Sequence, residues 1–238
     1  MQRIAKILSR AGIASRRQAE KLIFNGSISV NGLTITDPSF KVTPSDKIAV
    51  NGNLVNAPDD TRLWRYHKPI GLVTTNSDEK GRTTIYDKLP LGLPRLMSIG
   101  RLDITSEGLI LLTNDGILKR NLELPSAGFV RKYRVRANGI HNESSLDKLR
   151  AGILIDGEKF RAMDVTLDRI KGTNVWYNVV LTEGRNREIR RGFEKINMKV
   201  NRLIRISFGG IELGFLPKGE IEEVPITAVH QLLNLGEV

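Results

Sequence analysis

The chain of 238 residues contains no cysteine, only three histidines, and 5% aromatic residues. Without cysteine the protein has no disulfide, no thiolate nucleophile and no Cys-ligated zinc. The histidines lie far apart, and no pair of them has the H-x-x-x-H spacing of a metal site, so the sequence gives metal catalysis little support. They are His67, His141 and His230. No apolar stretch approaches the length of a bilayer span, and no long amphipathic helix stands out, so we expect no membrane partner.

Positive charge is what the sequence has in excess. There are 37 Lys and Arg residues against 26 Asp and Glu, which gives a net charge of +11 and a pI near 10.0. The basic residues are spread through the chain, which indicates a folded electropositive surface for an anionic partner, first of all a nucleic acid. Residues 1–19 contain no acid and so also fit a mitochondrial transit peptide. Because they make a good folded unit, we expect a cytoplasmic protein, with an organelle as the alternative.

The beginning of the chain has the pattern of two helices followed by hairpins. A first helix is predicted from apolar residues on one helical face, with Gly12 placed to end it. These apolar residues are Ile4, Ile7, Leu8 and Ala11. A second helix begins at a capping box, since Ser15 is followed three residues later by Gln18. The dipeptides Asn31-Gly32 and Asn51-Gly52 then predict two hairpins.

The solvent face of this helical unit is basic, and residues 1–58 hold eight basic and three acidic residues. A charge run of this kind is as often an ordinary solvated face as a binding surface. The order of elements favours binding, because residues 2–50 resemble the small RNA-binding domain first named in a ribosomal small-subunit protein, the S-four type. The segments 15–19 and 28–32 carry the match. We therefore predict an RNA-binding domain at residues 1–58. Its predicted RNA contacts are Arg3, Lys6, Arg10, Arg16, Arg17 and Lys21.

A polar, turn-rich linker at residues 56–61 separates this unit from a region with both strand and helix patterns. Residues 130–135 and 175–181 have strand composition, whereas residues 143–150 and 184–197 have helical spacing. The mixture predicts an α+β class for the whole chain.

Residues 100–108 present a single aspartate, Asp103, directly before the apolar run 109–112 and the turn 114–116. A short apolar run bounded by glycine and turn residues predicts a buried strand, so Asp103 is expected at the mouth of that strand. An isolated loop carboxylate most often caps a turn or pairs with a neighbour such as Arg101. Asp103 is therefore a candidate only in combination with other residues.

Two further segments are unusual. Residues 185–205 hold eight basic and two acidic residues, a density that fits phosphate contacts and equally a solvated helix face. Within it, Arg190 and Arg191 project about 100 degrees apart on a helix, so that one can face RNA and the other inward. On the predicted strand at 131–136, Tyr133 shares a face with Val135, and the basic residues between them share the other face. A tyrosine in this position is usually core, but it also fits a platform for a stacked base.

In this order, the segments resemble the pseudouridine synthases of the RsuA/RluB type over nearly the whole chain. The matching segments are residues 66–71, 100–103, 132–133 and 184–194. The Gly-Arg-Asn-Arg-Glu form of the last segment is more similar to the branch that acts on large-subunit rRNA. The resemblance implies a mixed, mainly antiparallel catalytic domain at residues 62–238. It also implies ribosomal RNA as the partner, either free or within an assembling large subunit, and we expect a monomer.

The resemblance also implies roles for individual residues. Asp103 matches the essential aspartate that attacks C1′ of the target uridine or assists its departure from the base. Arg101 matches the arginine that enters the RNA stack when the nucleotide is flipped out. Tyr133 matches the tyrosine that packs against the flipped base or helps remove its C5 proton. Arg190 aligns with the basic residue that pairs with the aspartate and keeps it charged. The reaction keeps every atom and implies no cofactor and no metal.

Arg185, Arg187 and Arg191 are further expected RNA contacts. Two positions depart from the family pattern, because Ser106 replaces the usual threonine and Gly192 the usual methionine, which puts the packing of the pocket in doubt.

One alternative is a non-catalytic rRNA-binding or ribosome-assembly protein on the same fold. A metal-dependent RNA hydrolase is a second alternative, which the absence of clustered carboxylates or histidines disfavours.

Overall fold

A computed structural model of the protein describes residues 1–234. Two compact units are found, and the chain passes from the first to the second between Thr61 and Arg62. The short segments 94–96 and 114–116 also belong to the first unit. The elements up to Thr61 are β1 (Gln2–Arg3), α1 (Ile4–Arg10), α2 (Arg16–Phe24), β2 (Ile28–Val30), β3 (Leu33–Ile35), β4 (Lys41–Val42), β5 (Ile48–Val50) and β6 (Asn53–Leu54).

The local signals at the beginning of the chain are confirmed. Both hydrogen bonds of the capping box are present, since the Gln18 N–H donates to Ser15 Oγ at 3.2 Å and the Ser15 N–H donates to Gln18 Oε1 at 2.9 Å. Asn31-Gly32 joins β2 to β3 and Asn51-Gly52 joins β5 to β6, all with positive φ as a tight hairpin requires. Helix α1 ends at Arg10, and Gly12 follows with φ of +77°, as predicted for the residue that ends it.

A larger set of elements follows Arg62. These are β7 (Leu63–Lys68), β8 (Met97–Ile99), β9 (Glu107–Thr113), α3 (Gly116–Glu123), β10 (Arg131–Asn138), α4 (Glu143–Arg150), β11 (Ile153–Ile155), β12 (Glu158–Phe160), β13 (Asp164–Lys171), β14 (Asn174–Leu181), α5 (Glu188–Lys195), β15 (Lys199–Phe208), β16 (Ile211–Glu212), β17 (Ile221–Glu223) and α6 (Ile226–Asn234). Within the described part of the chain, every helix is too short or too polar to traverse a lipid bilayer.

A nine-stranded sheet organises the second unit. Its main path runs β13-β14-β10-β15-β9-β7-β17, with β8 paired to β9 and β16 to β15. The β9–β15 pair is parallel, and the other pairs of named strands in this sheet are antiparallel. The α+β class predicted from the sequence is confirmed. As the apolar run predicted, β9 is an interior strand, and all seven of its residues are buried.

The two faces of β10 differ as period-two alternation requires. Tyr133, Val135 and Ala137 are buried, whereas the basic residues between them are partly or fully exposed. On the buried face, Tyr177 of β14 lies opposite Val135 and packs edge-on against Phe193 of α5 with ring centroids 5.3 Å apart. The sheet therefore has one face covered by helices and one that bears arginines.

Helix α5 is shorter than predicted. The helical spacing of residues 184–197 predicts a helix over that whole range, but α5 spans Glu188–Lys195. Arg187 has a left-handed conformation with φ of +50°, which no helix interior allows, so the segment before it is a loop. At the other end Asn197 has φ of +59°, as expected for a left-handed stop. The helices α3 and α6 were not predicted.

Strand β9 approaches β15 very closely at Gly108. In the parallel pairing Gly108 lies opposite Arg205, and its φ of +107° is one that L side chains rarely adopt. A Cβ atom at this position would lie 2.2 Å from the carbonyl oxygen of Arg205. Only glycine fits here without a shift of the backbone.

We expect Gly108→Ala to lower the free energy of unfolding by about 3 kcal/mol, because the added methyl group overlaps backbone that has no room to move. Gly210→Ala is the matched control, since Gly210 also has positive φ but meets no atom within 4 Å. The control should lose only the conformational cost of about 1–2 kcal/mol. Urea denaturation of both variants measures the difference, and equal losses would contradict the predicted clash.

Candidate active site

A cleft of about 470 Å³ opens in the second unit. Its walls include residues 99–103, Tyr133 on β10, residues 184–189 and Arg205 on β15. The structure thus brings together Asp103, Tyr133 and the arginine-rich segment, which are far apart in the sequence.

The loop that carries Asp103 is fixed through its backbone. The Thr74 hydroxyl donates to the Leu102 carbonyl at 3.0 Å and accepts the Leu102 N–H at 3.3 Å, and the Ser106 N–H donates to the Asp103 carbonyl at 3.0 Å. The Asp103 side chain is 35% exposed, and its Oδ2 lies 3.8 Å from Nη1 of Arg187. The carboxylate therefore faces the cleft next to one guanidinium.

Beneath this loop lies a buried lysine, Lys68, at the end of β7. Its ammonium donates to the carbonyls of Pro69 at 3.1 Å, Asp103 at 3.2 Å and Ser106 at 2.8 Å. Burial lowers the pKa of Lys68 to about 8, although the charges of Asp103 and Glu107 act to raise it. Lys68 ties the end of β7 to both ends of the turn after Asp103.

Tyr133 forms part of the cleft wall and is 8% exposed. Nearby, the Arg131 guanidinium donates to the carbonyls of Phe129 at 2.9 Å and Thr182 at 3.3 Å and lies 4.9 Å from the ring centroid of Phe208. Desolvation by burial lowers the pKa of Arg131. This wall offers an aromatic surface bordered by positive charge.

Arg190 does not form the expected ion pair with Asp103. Its guanidinium is buried and donates to the Val200 carbonyl at 2.9 Å and to the Thr105 carbonyl at 3.0 Å. The α5 helix directs it beneath the Asp103 loop, where backbone carbonyls accept from both of its terminal nitrogens. Among the described residues, the guanidinium within ion-pair distance of Asp103 is that of Arg187. Arg190 thus holds the backbone of the loop, and Arg187 supplies the counter-charge.

The start of α5 contains a buried carboxyl group, Glu188. Its Oε2 accepts the Arg185 N–H at 3.0 Å and so fixes the loop before the helix. Burial raises the pKa of Glu188 to about 7, and its hydrogen bond with Glu183 and the charge of Glu183 act in the same direction. Burial also acts to raise the pKa of Glu183, but hydrogen bonds from the Arg161 N–H and from Glu188 and Arg185 outweigh it and lower that pKa. Burial therefore makes Glu188 the weaker acid of the two carboxyl groups.

The cleft is electropositive. Its lining includes five arginines and three acidic residues, which are Arg101, Arg131, Arg185, Arg187, Arg205, Asp103, Glu123 and Glu188. Within residues 1–234, no three His, Asp or Glu side chains come together in a way that could hold a metal ion. A cleft of this charge, with a tyrosine in its wall and one aspartate at its mouth, suits a polyanion with planar bases.

Comparison with known proteins agrees with this chemistry. A family model described as RNA pseudouridylate synthase matches residues 62–195, more than half of the chain. The chain belongs to this family. A model of the S4 domain matches residues 2–48, in agreement with the predicted RNA-binding domain of the S-four type.

Individual relatives extend the match over both units of the enzyme. An RNA pseudouridine synthase of Rickettsia typhi is 46% identical over 237 residues, which cover 98% of this chain and 96% of the relative. The ribosomal large subunit pseudouridine synthase B of Salmonella typhimurium is 38% identical and is aligned over 100% of this chain and 84% of its own length. A crystal structure of a pseudouridylate synthase is 27% identical, with a TM-score of 0.67, and covers 98% of this chain and 100% of that one. The RsuA/RluB-type pseudouridine synthase predicted from the sequence is confirmed.

The predicted RNA contacts of this pseudouridine synthase differ in their surroundings. In the catalytic unit, Arg101, Arg185 and Arg187 line the cleft. Arg191 does not, because its guanidinium pairs with Glu158 at 2.7 Å and Asp156 at 3.2 Å. Two acidic side chains therefore hold this guanidinium outside the cleft, and an RNA contact of Arg191 stays a prediction.

In the S4 unit, five of the six predicted basic contacts are exposed or partly exposed and have no ion-pair partner among residues 1–234. They are Arg3, Lys6, Arg16, Arg17 and Lys21. The sixth, Arg10, pairs with the carboxylate of Asp115 and donates to the Thr61 hydroxyl at 3.2 Å within the first unit. Arg10 is thus held inside the unit, and RNA contact stays a prediction for all six residues.

The two departures from the family pattern have different surroundings. Ser106 is buried and lines the cleft, and its carbonyl accepts from Lys68. At Gly192, a Cβ atom would lie 3.0 Å from Cε of Met163 and 3.2 Å from Cδ2 of Leu149. The side chains of Met163 and Leu149 thus pack directly against α5 at Gly192.

Three residues of the site were missed in the sequence: Glu188 and Arg205, which line the cleft, and Lys68, which lies beneath the Asp103 loop. Lys68 lies in the segment 66–71 that was matched to the family. The available signal was the alternation along β7, which predicts a buried position for this lysine. Glu188 and Arg205 are both buried, and each has one buried polar atom without a partner among the described residues. No local pattern distinguishes these two from the other charges of residues 185–205.

We expect Lys68→Met to lower turnover about 100-fold with little change in RNA affinity. The loss of the ammonium releases three carbonyls of the Asp103 loop, and displacements of about 1 Å in an active site have effects of this size. Tritium release from C5-labelled uridine in RNA measures turnover, and filter binding measures affinity. Lys80→Met, which removes an exposed lysine, is the control.

The pH dependence of stability provides a second measurement for the same variant. The pKa of Lys68 is lowered from 10.5 to about 8 in the folded enzyme, so between these values the unfolded chain binds the additional proton. The free energy of unfolding of the wild type should therefore rise, relative to Lys68→Met, as the pH increases from about 8 to 10.5. A constant difference across this range would show that Lys68 is not desolvated.

Proposed function

We propose that this pseudouridine synthase isomerises a uridine of ribosomal RNA, in the large subunit, with Asp103 as the catalytic residue and without a cofactor. The observation that carries the proposal is the position of the Asp103 carboxylate in an electropositive cleft, on a backbone-fixed loop and 3.8 Å from Arg187. The choice of large-subunit rRNA rests on the 38% identity to a ribosomal large subunit pseudouridine synthase.

The reaction is a rearrangement in which every atom of the uridine except exchanging protons is kept. The bond between C1′ and N1 breaks, and its electron pair leaves with the uracil. The uracil turns, a bond forms between C1′ and C5, the C5 proton departs, and N1 takes up a proton. Asp103 either attacks C1′ or assists departure of the base, and both routes use the charged carboxylate. Arg187 places an opposite charge 3.8 Å from that carboxylate.

The target nucleotide has to leave its stack before C1′ is accessible. Unstacking costs a few kcal/mol, which contacts inside the cleft have to offset. Tyr133 offers a surface for the flipped base, and stacking on an aromatic side chain contributes about 1–3 kcal/mol. Arg101 is exposed at the cleft and is suited to occupy the place that the base leaves. Removal of the C5 proton is the second role proposed for Tyr133.

Binding of the RNA would involve both units. The S4 unit presents exposed basic side chains on α1 and α2, which suit backbone phosphates of a large RNA. We propose that the enzyme acts as a cytoplasmic monomer, on free rRNA or on an assembling large subunit, and so belongs to ribosome biogenesis. Pseudouridine mapping of total rRNA with and without the protein identifies the target, and an unchanged map would contradict the rRNA assignment.

We expect Asp103→Asn to abolish isomerisation while RNA affinity stays within about threefold of the wild type. The amide keeps the size of the side chain but cannot act as the carboxylate does. Tritium release measures the reaction. Glu123→Gln is a matched control, because Glu123 lies in the same cleft wall and its bond from the Gly100 N–H can be kept by an amide oxygen. Full activity of Asp103→Asn would contradict the assignment.

The two arginines near Asp103 should have separable effects. Arg190→Met removes the donor to the Thr105 and Val200 carbonyls, so we expect turnover to fall about 100-fold with little change in affinity. Arg187 is partly exposed at the cleft, and we expect Arg187→Met to weaken RNA binding as well as turnover. Steady-state kinetics with titrated RNA separates the two parameters. A pure affinity loss for Arg190→Met would mean that it only contacts phosphate.

A further inference from the structure

The sheet face opposite the cleft carries guanidinium groups around a single tryptophan. Trp176 lies on β14, and the guanidinium carbons of four arginines lie 5.0–5.9 Å from the centroid of its ring. These four are Arg134, Arg136, Arg169 and Arg202, and we call them, with Trp176, the Trp176 cluster. Energetically significant contacts of this type occur about once per 70–80 residues, so four at one ring is an unusual density.

The cluster is a product of strand register. Arg169 of β13 lies opposite Trp176, Trp176 lies opposite Arg136 of β10, and Arg136 lies opposite Arg202 of β15. Four neighbouring strands therefore contribute one residue each to a row across the sheet, which is about 14 Å long at a strand spacing of about 4.8 Å. Tyr133 projects from β10 to the other face, so the row and the cleft lie on opposite sides of the same strands.

Two arginines of the cluster are neutralised within the protein. Arg134 pairs with Asp168 at 2.5 Å, and Arg202 pairs with the buried carboxylate of Glu107. Hydrogen bonds from Arg202 and Lys218 lower the pKa of Glu107 against the effect of burial, which acts to raise it. These two guanidiniums therefore have a structural explanation.

The other two arginines have no acidic partner. The Nε of Arg136 donates to the neutral amide oxygen of Asn201 at 2.8 Å, and no ion pair involves Arg136 or Arg169 among residues 1–234. Arg169 is exposed and Arg136 is partly exposed. Uncompensated like charges held close together repel each other unless an anion lies between or above them.

The chemistry of these side chains suits phosphate. A guanidinium that lies over an aromatic ring leaves the N–H groups at its edge available, and that edge matches two phosphate oxygens. The indole also restricts the motion of the arginines, so less entropy is lost when a phosphate binds. A row of such groups fits a repeated anion better than a single small one.

We propose that the Trp176 cluster is a second RNA-binding surface, which holds the phosphodiester backbone of a substrate segment outside the cleft. This goes beyond the proposed function, because it needs the RNA substrate of the family but not the identity of the target uridine. An RNA that occupies both surfaces has to pass around the edge of the sheet. Only a long RNA reaches the cluster while it occupies the cleft.

This requirement defines the experiment. We compare Arg136→Gln/Arg169→Gln with the wild type in binding to a large-subunit rRNA transcript and to a short single-stranded oligouridylate. We expect affinity for the transcript to fall about tenfold and the slope of log affinity against log salt to decrease by roughly two, one for each lost phosphate contact. Affinity for the oligouridylate should not change. On rRNA, KM should rise while kcat stays the same.

Two further variants control for charge and folding. Lys148→Gln/Lys159→Gln removes the same number of positive charges from exposed positions outside the cluster and should bind the transcript as the wild type does. Arg136→Lys/Arg169→Lys keeps the charges and should restore the salt slope. Thermal unfolding of all variants shows whether the cluster is needed for stability. If the double glutamine variant is unstable, the single variant Arg169→Gln at an exposed position should decrease the salt slope by roughly one, and an unchanged slope would contradict the proposal.

Several results would overturn the proposal. Unchanged transcript binding by Arg136→Gln/Arg169→Gln excludes an RNA contact, and an equal loss for the oligouridylate places the effect in the cleft. An equal loss in Lys148→Gln/Lys159→Gln assigns it to net charge alone. A loss that is found with ribosomal particles but not with the naked transcript assigns the surface to an acidic protein. The rRNA assignment itself fails separately, if the wild type forms no pseudouridine in rRNA.

Discussion

The ammonium group of Lys68 lies where β7 ends, and three backbone carbonyls from two separate segments converge on it. A loop that projects a carboxylate into a cleft needs its own polar backbone satisfied from behind, because water has no access there. Lys68 does this from below, and the buried guanidinium of Arg190 does it from the side through Thr105. The position of Asp103 therefore depends on two buried cations that never touch its carboxylate.

The second constraint is the close approach of β9 to β15. At Gly108 the two strands are too close for any side chain, and directly beyond this contact the chain leaves the sheet as the Asp103 loop. The same strands separate two surfaces of different character. One face holds the cleft, with Tyr133 in its wall, and the other holds the Trp176 cluster. Strand alternation thus places two basic surfaces back to back on the two faces of one sheet.

Local signals in the sequence predicted the elements that depend on local bonds. The capping box at Ser15 and the Asn-Gly hairpins are closed by residues two or three positions apart, and the helix at 143–150, which Asn142 caps, was predicted with its limits. The predicted start of α5 was wrong because the left-handed backbone conformation of Arg187 interrupts the helix. The predicted partner of Arg190 was also wrong. Its acceptors are the carbonyls of Thr105 and Val200, and no spacing rule connects these residues in the sequence. Residue types at the site were predictable, but their pairings were not.

The contact between Gly192 and Met163 has a consequence for substitutions at either position. A Cβ atom at residue 192 would lie 3.0 Å from the end of the Met163 side chain, so a larger residue on the helix requires that side chain to move. A variant that enlarges residue 192 alone is overpacked, and one that shrinks residue 163 alone leaves a cavity. Either change alone carries a cost in stability. Substitutions at these positions are therefore coupled, and each is tolerated only in the sequence background that the other provides.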